Sequence, residues 1–489
     1  MKPASLPPII QGGMGVAVSG WRLARAVSRR GQLGVVSGTC LDTVLVRRLQ
    51  DGDRDGALRR AMNAFPMPGV AARALTGYFR PLGRAPDEPY QLLPLYRQSA
   101  SKEREALTML AAFSEVYLAK EGHQGLVGIN LLTKVQRPNI ATLYGAMLAG
   151  VNYVLMGAGI PREIPAVLDA LAGHRSASLK LDAVGLPPGE APEITLNPGD
   201  YWRDPPPLER PMFLPIVASN SLAAMLAHKL GAGVDGFVIE GPTAGGHNAP
   251  PRGTPQFNAR GEPVYGSRDE VDVDRIRELG LPFWLAGGMG HPEHLRRARA
   301  AGAAGIQVGT LFAYCEESGV TASLKASVLA SAARGEVDVI TDPAASPTGY
   351  PFKVVEWPEN TSVDELRERI CDLGYLRVAY ARPDGKIGYR CASEPVDAYV
   401  AKGGDVNDTV GRRCLCNALL ANVGLAQLRA NGEHESPLLT SGDDLKTIAG
   451  FLNGRSQYFA DDVIDYLLAE PATAAADRPV SSPVGDRPA

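Results

Sequence analysis

Long apolar runs, a surplus of one charge, a dense set of cysteines and a dinucleotide fingerprint are all missing from this sequence. Each absence removes a class of protein. No apolar run reaches the ~18 residues that a bilayer span needs, so a membrane partner is not expected. Fifty Lys and Arg against 53 Asp and Glu leave a formal charge of −3, which gives no field for nucleic acid or an anionic lipid surface. Six cysteines in 489 residues cannot staple a disulfide scaffold. No G-x-G-x-x-G follows a strand-like run, so any NAD(P)H would be a transient visitor. Met1 to Leu6 leads into a strand-like run without a signal-peptide core, and a cytoplasmic protein is the expectation.

What is present is a soluble globular balance, 45% apolar and 21% charged, in a chain too long for one ordinary core. Short apolar runs recur: Pro7 to Gln11, Leu33 to Ser37, Leu126 to Leu132, Val151 to Gly157, Phe213 to Ser219, Gly236 to Gly241, Pro282 to Gly288 and Gly305 to Thr310. Most are followed by a helical pattern, and at least five end in glycine or polar residues. That rhythm predicts a (β/α)₈ TIM barrel, whose loops gather at the C-terminal ends of the strands. An open doubly wound sheet would instead concentrate its chemistry at one switch point.

Such a barrel needs ~250 residues, so the surplus has to be decoration. Residues 41–122 break the rhythm with charged helical stretches and read as a helical insertion in a barrel domain over 1–340. Ser176 to Val184 reads as an added hairpin, residues 341–470 as a C-terminal α/β extension, and 471–489 as a disordered tail.

The chemistry is expected at the glycine-punctuated strand ends. Val238 to His247 runs from a β-branched strand into Gly245-Gly246 and then an imidazole. There main-chain N–H groups can close on phosphate or a flat ring without Cβ obstruction. Gly287-Gly288 and Gly309-Thr310 follow the seventh and eighth strands, the usual phosphate position of these barrels. Thr310 adds a hydroxyl and Gln307 a side-chain amide, and Gly13-Met14-Gly15 lies at the same face. Ser219 and Ser221 follow the fifth strand and could reach a ligand or cap the next helix. Lys180 is either a phosphate-side group or a solvated lysine. Tyr265 to Glu270 is either a lid or oligomer segment over the histidine loop or a salt-bridged turn. The other histidines (His123, His174, His228, His291, His294, His434) read as structural.

These stretches resemble the nitronate monooxygenase family, formerly the 2-nitropropane dioxygenases. The likeness lies in Pro8 to Gly15, Gly128 to Leu131, Ala244 to His247, Leu285 to Gly288 and Gln307 to Thr310. It covers roughly residues 7–335 and extends to discrete FMN enoyl reductases of polyketide and polyunsaturated fatty-acid synthesis. The resemblance implies an FMN cofactor and main-chain contacts to it from Gly13, Met14 and Gly15. It implies a hydrogen bond from Asn130, and Gly245, Gly246, Gly287, Gly288, Gln307, Gly309 and Thr310 around the phosphate and ribityl chain. His247 would be the catalytic base of a monooxygenase that turns an alkyl nitronate, with O₂, into a carbonyl compound and nitrite. In an NAD(P)H-dependent enoyl reductase acting on acyl thioesters it would orient the substrate. A third reading is an FMN-binding, partner-docking subunit of a biosynthetic complex. An acyl-carrier partner and a homodimer both fit these readings. Two positions depart from the family's pattern: Gly12-Gly13 stands where Ala-Pro is usual, and Asn248 where Arg is common.

Cys371, Cys391, Cys414 and Cys416 crowd the last quarter. Four thiolates could hold zinc or an iron–sulfur cluster. Their spacing lacks the C-x₂-C pairs of a zinc ribbon, so buried free thiols and no metal are expected.

Overall fold

The computed structural model describes residues 5–470 apart from 97–100, 188, 204, 231–232 and 361–366. The expected tail at 471–489 lies outside the described residues. Eight parallel strands close into a barrel: β1 (Ile9–Gln11), β2 (Leu33–Ser37), β3 (Val127–Leu132), β4 (Tyr153–Gly157), β5 (Met212–Val217), β6 (Phe237–Glu240), β7 (Phe283–Ala286) and β8 (Gly305–Val308). Each pairs with its sequence neighbours, and β1 pairs with β8 (Ile9 beside Ile306, Gln11 beside Val308) to complete the ring.

Alternation along the strands sorts the residues between two cores. Ile10, Leu33, Val35, Tyr153, Leu155, Leu214, Val238 and Trp284 fill the barrel interior. Ile9, Val36, Ile129, Val154, Phe213, Ile239 and Ile306 face out into the layer of helices. Trp284 is fully buried, and its indole N–H donates to the Pro7 carbonyl at 2.8 Å, satisfying the polar atom of a large core side chain. Gln11, also buried, accepts from the Val35 N–H at 3.0 Å through its side chain.

Residues 41–122 contribute four helices among the described residues: Leu41–Gln50, Ala57–Asn63, Pro68–Tyr78 and Lys102–Lys120. The last lies against the helices Trp21–Arg29 and Gln136–Leu148 and is buried along most of its length, so it serves as a barrel helix between β2 and β3. Ala177–Lys180 pairs antiparallel with Glu193–Leu196, a hairpin outside the ring.

After the barrel, Asp338–Asp342 and Phe352–Glu356 form an antiparallel pair. Val378–Ala381 and Ile387–Arg390 form a hairpin that is joined in parallel by Ala183–Val184. This extension is tied to the helices of 41–122 by buried polar contacts. Asp42 is ion-paired with Arg104 at 2.9 Å and accepts from Tyr96 at 2.7 Å and from Tyr375 of the extension. Arg47 donates to the Leu425 carbonyl at 2.5 Å. The Asp42–Arg104 charge pair holds the Asp42 carboxyl below its ordinary range despite burial.

Gly145 shows where small size is obligatory. A Cβ there would stand 2.1 Å from the Met109 carbonyl, at the crossing of Gln136–Leu148 with Lys102–Lys120. Gly77, in the helix Pro68–Tyr78, has nothing within 4 Å of that position. Gly145→Ala is therefore expected to destabilise the protein by about 1–3 kcal/mol through overpacking. Gly77→Ala should be neutral or stabilising by up to about 1 kcal/mol. Thermal midpoints of the two variants, measured by calorimetry, check the contrast.

Candidate functional site

The C-terminal strand ends surround one cavity of about 420 Å³, within the ~300–1,000 Å³ typical of cofactor and ligand sites. Gly13, Met14 and Gly15 after β1, Asn130 in β3, Gly245, Gly246 and His247 after β6, Gly287 and Gly288 after β7, and Gln307, Gly309 and Thr310 at β8 all line it. The structure thus brings the glycine-punctuated strand ends, with Asn130, His247, Gln307 and Thr310, to one wall. Among the described residues His247 is the only histidine on that wall.

Gly287 and Gly288 have φ of +89° and +65°, a conformation that side chains other than glycine's rarely adopt. Gly13 is set by close approach instead, since a Cβ would lie 2.2 Å from the Asn130 Cβ. Gly309 has φ −108° and ordinary space around it, so no backbone constraint demands glycine there.

Several polar atoms on the wall are buried and lack a protein partner. These are Asn130 Oδ1, Gln307 Oε1, Asn248 Oδ1 and Asn422 Oδ1. Asn130 uses its amide N–H to donate to the Gly13 carbonyl at 3.3 Å, and its oxygen has no protein partner. Buried polar groups are nearly always hydrogen-bonded, and four residues that line this one cavity carry an atom that is not. Among the described residues Arg252 is the only Lys or Arg on the wall. An anion deep in the site would be held by main-chain N–H groups and hydroxyls rather than by a cation.

The extension completes the cavity, a contribution that strand-end reasoning missed. Thr440 accepts from the Gly246 N–H at 2.8 Å, and Gly442 donates its N–H to Thr310 Oγ1 at 3.0 Å. Asp444 accepts from the Gly290 N–H at 2.9 Å. A Cβ on Gly245 would stand 2.7 Å from the Ser441 carbonyl carbon, so the space beside that glycine is taken by the chain's own later segment.

His247 is half-buried, with its ring edge-on to Phe352 at 4.8 Å and its Nε2 2.7 Å from Ser346 Oγ. Burial pushes its imidazole down to about 4, so it is neutral at pH 7, with a free nitrogen lone pair. Glu240, at the end of β6, is the other titratable group of note. Burial raises its carboxyl to about 7, and it lies between the main cavity and an adjoining one of about 40 Å³ beside Arg252, Tyr265 and Asp269. It sits in plain view at the end of an apolar run, but only the fold shows it to be half-buried at the cavity wall.

The remaining candidates divide. Ser219 lines the cavity, and its hydroxyl also accepts from the Leu222 N–H at 3.1 Å, as a helix cap does. Ser221 and Lys180 are exposed and away from the wall. The 265–270 turn closes over the histidine loop: Tyr265 donates to the Ala249 carbonyl at 3.0 Å, and Asp269 accepts from the Arg252 N–H at 2.8 Å. Cys371, Cys391, Cys414 and Cys416 meet around a void of about 10 Å³ in the extension. Burial raises the thiols of Cys414 and Cys416, and a hydrogen bond with Cys391 raises that of Cys371. Among the described residues no group of three or more His, Cys, Asp or Glu side chains is arranged to hold a metal ion.

Residues 210–343, which span the barrel's second half, match the model of the nitronate monooxygenase family. A probable nitronate monooxygenase of Staphylococcus haemolyticus is 33% identical over 100 residues, 20% of this chain and 27% of that relative. The chain thus matches about a quarter of the length of this curated relative. Among solved structures, FabK from Thermotoga maritima is 17% identical, with TM-score 0.44 over 94% of this chain and 91% of its own. A nitroalkane oxidase from Streptomyces ansochromogenes is 17% identical, with TM-score 0.43 over 94% of each chain. The enoyl reductase domain of MlnA from the macrolactin biosynthesis cluster of Bacillus amyloliquefaciens is 13% identical, with TM-score 0.47 over 94% of this chain and 93% of its own.

The two titratable groups give opposite pH signatures. His247 binds its proton at about 4 in the fold against an ordinary 6.5. Between those values the unfolded chain holds more protons, so stability falls as pH falls. Glu240 binds at about 7 against an ordinary 4.5, so the fold holds more protons in that window and stability falls as pH rises. His247→Gln should flatten the first slope and Glu240→Gln the second, in thermal midpoints taken at stepped pH. Slopes unchanged in both variants would contradict the placement of these groups.

Proposed function

We propose that this chain is an FMN-dependent oxidoreductase of nitronate monooxygenase type, acting on small alkyl nitronates or nitroalkanes with O₂. The observation that carries the reading is that a neutral imidazole and four residues with a partnerless polar atom line one apolar-walled cavity. The cavity fits a flavin by volume and by donor chemistry. Asn130 and Gln307 offer side-chain amides to a heteroaromatic edge, while Gly287, Gly288 and Thr310 form a neutral cradle for a phosphate. When bound, FMN supplies the electron transfer that no protein side chain here can perform.

The residues of the chain bind, orient and move one proton. A nitroalkane entering the cavity is acidic at the carbon beside its nitro group, and His247 takes that proton on its free nitrogen. A substrate that arrives as the nitronate skips this step. The apolar side chains of Ile216 and Leu222 on the wall seat an alkyl chain.

A second reading, NAD(P)H-dependent reduction of an enoyl thioester, is favoured by one specific feature. That reaction needs a proton donor, and Glu240 holds a proton near neutrality at the cavity wall. Under this reading the thioester would be delivered on a carrier. Docking to a biosynthetic complex without turnover is the reading that activity of the isolated chain would remove. The partners in each case are a small-molecule substrate with O₂ or NAD(P)H, in the cytoplasm; no described helix is long and apolar enough to cross a membrane.

The purified chain is expected to be yellow and to release FMN on denaturation. Under anaerobic mixing, an alkyl nitronate should bleach the flavin and NAD(P)H should not; the reverse result selects the reductase. Asn130→Leu should weaken FMN retention by about tenfold, the loss of one hydrogen bond. His247→Gln should keep the flavin but slow nitroalkane oxidation by about 10²–10⁴-fold, with a smaller effect on the ionised nitronate. A colourless protein that refuses FMN ends the proposal.

A further inference from the structure

The nitrogen of His247 that faces away from Ser346 is the only one free for chemistry, and the choice is made by a segment outside the barrel. Ser346 is fully buried and is not part of the cavity wall; its Oγ lies 2.7 Å from His247 Nε2. The hydroxyl also accepts from the Thr348 N–H at 3.2 Å and lies 2.8 Å from Thr348 Oγ1. The geometry around it is fixed from several sides. Arg412 donates to the Ala344 carbonyl at 2.9 Å and the Ser346 carbonyl at 2.6 Å. The histidine loop and the segment after Ser346 lie side by side, with Asn248 N–H donating to the Pro351 carbonyl and Lys353 N–H to the Gly246 carbonyl, both at 2.9 Å. Phe352 packs edge-on against the imidazole and restricts its rotation.

Hydrogen counting then narrows the choice. A serine hydroxyl has one proton and two lone pairs, and the Thr348 N–H occupies one lone pair. The remaining proton and lone pair are shared between Thr348 Oγ1 and His247 Nε2. In one setting Ser346 donates to Thr348 and accepts from an Nε2–H, leaving Nδ1 with a lone pair. In the other it donates to Nε2, so the neutral ring carries its proton on Nδ1 and has no free lone pair. Only the first setting suits both the neutral and the protonated ring, because Nε2 carries a proton in each.

We propose that Ser346, backed by Thr348, fixes the Nε2–H tautomer of His247 and so makes Nδ1 the basic atom. Its catalytic consequence rests on the reading of His247 as the base. Ser346 is a positioning residue: it lies behind the imidazole and acts through it.

The test uses the full-length, flavin-loaded chain carrying ¹⁵N-labelled histidine, with the His247 signals assigned by their loss in His247→Gln. Native protein should show the Nε2–H tautomer as the dominant form. Ser346→Ala should mix the tautomers and lower kcat for nitroalkane by about 10- to 100-fold, the worth of a hydrogen bond to a group that becomes charged. KM and flavin content should hold. Thr348→Val removes the competing acceptor, leaves Ser346 free to donate to Nε2, and should shift the population toward Nδ1–H with a smaller loss of kcat. It also serves if Ser346→Ala folds poorly. An unchanged tautomer in both variants overturns the proposal, as does a native ring protonated on Nδ1. If His247→Gln itself turns over nitroalkane normally, the base reading falls, and the tautomer measurements still decide the role of Ser346.

Discussion

Backbone polar groups at the glycine ends of β6, β7 and β8 have to be satisfied without filling the space in front of them, and the rest of the site follows from how this is done. The chain solves it from behind. Thr440, Gly442 and Asp444 take up Gly246, Thr310 and Gly290, so the loops are held open by the protein's own hydrogen bonds before any ligand arrives. A preorganised cavity of this kind asks little rearrangement of its wall when a molecule binds.

The same arrangement makes the barrel and the extension share one cavity. Ser346 touches the histidine, Phe352 flanks it, and Tyr314, Asn422 and Ser441 share the cavity wall with the strand-end glycines. The helices of 41–122 join in through the buried Asp42–Arg104 pair and its tyrosine partners. Removing either Asp42 or Arg104 would leave an uncompensated charge in that interior.

The barrel was legible because each of its strands is a short apolar run with a glycine or polar stop, a local pattern that survives in one dimension. The strand-end set was legible for the same reason, and Gly13, Asn130, His247, Gly288 and Thr310 do share one wall. Ser346, Thr440 and Asp444 could not be read in advance. They are ordinary polar loop residues whose meaning comes from contacts 99 to 194 positions away. Glu240 was visible, but its burial was not. The glycine at 245 was read as room for a ligand, whereas part of that room is taken by Ser441. The four clustered cysteines do meet, which spacing alone did not establish.

Ring closure by β1 and β8 has a consequence for synthesis of the chain. Ile9 leaves the ribosome about 300 residues before its partner Ile306, a wait of about 15–60 s at ordinary elongation rates. Over that interval one edge of the first strand has no neighbour, and the segments bearing Ser346 and Thr440 come later still. The nascent polypeptide therefore acquires its helices and most of its ladder well before its cavity is complete, and capture of any ligand there belongs to the final moments of maturation.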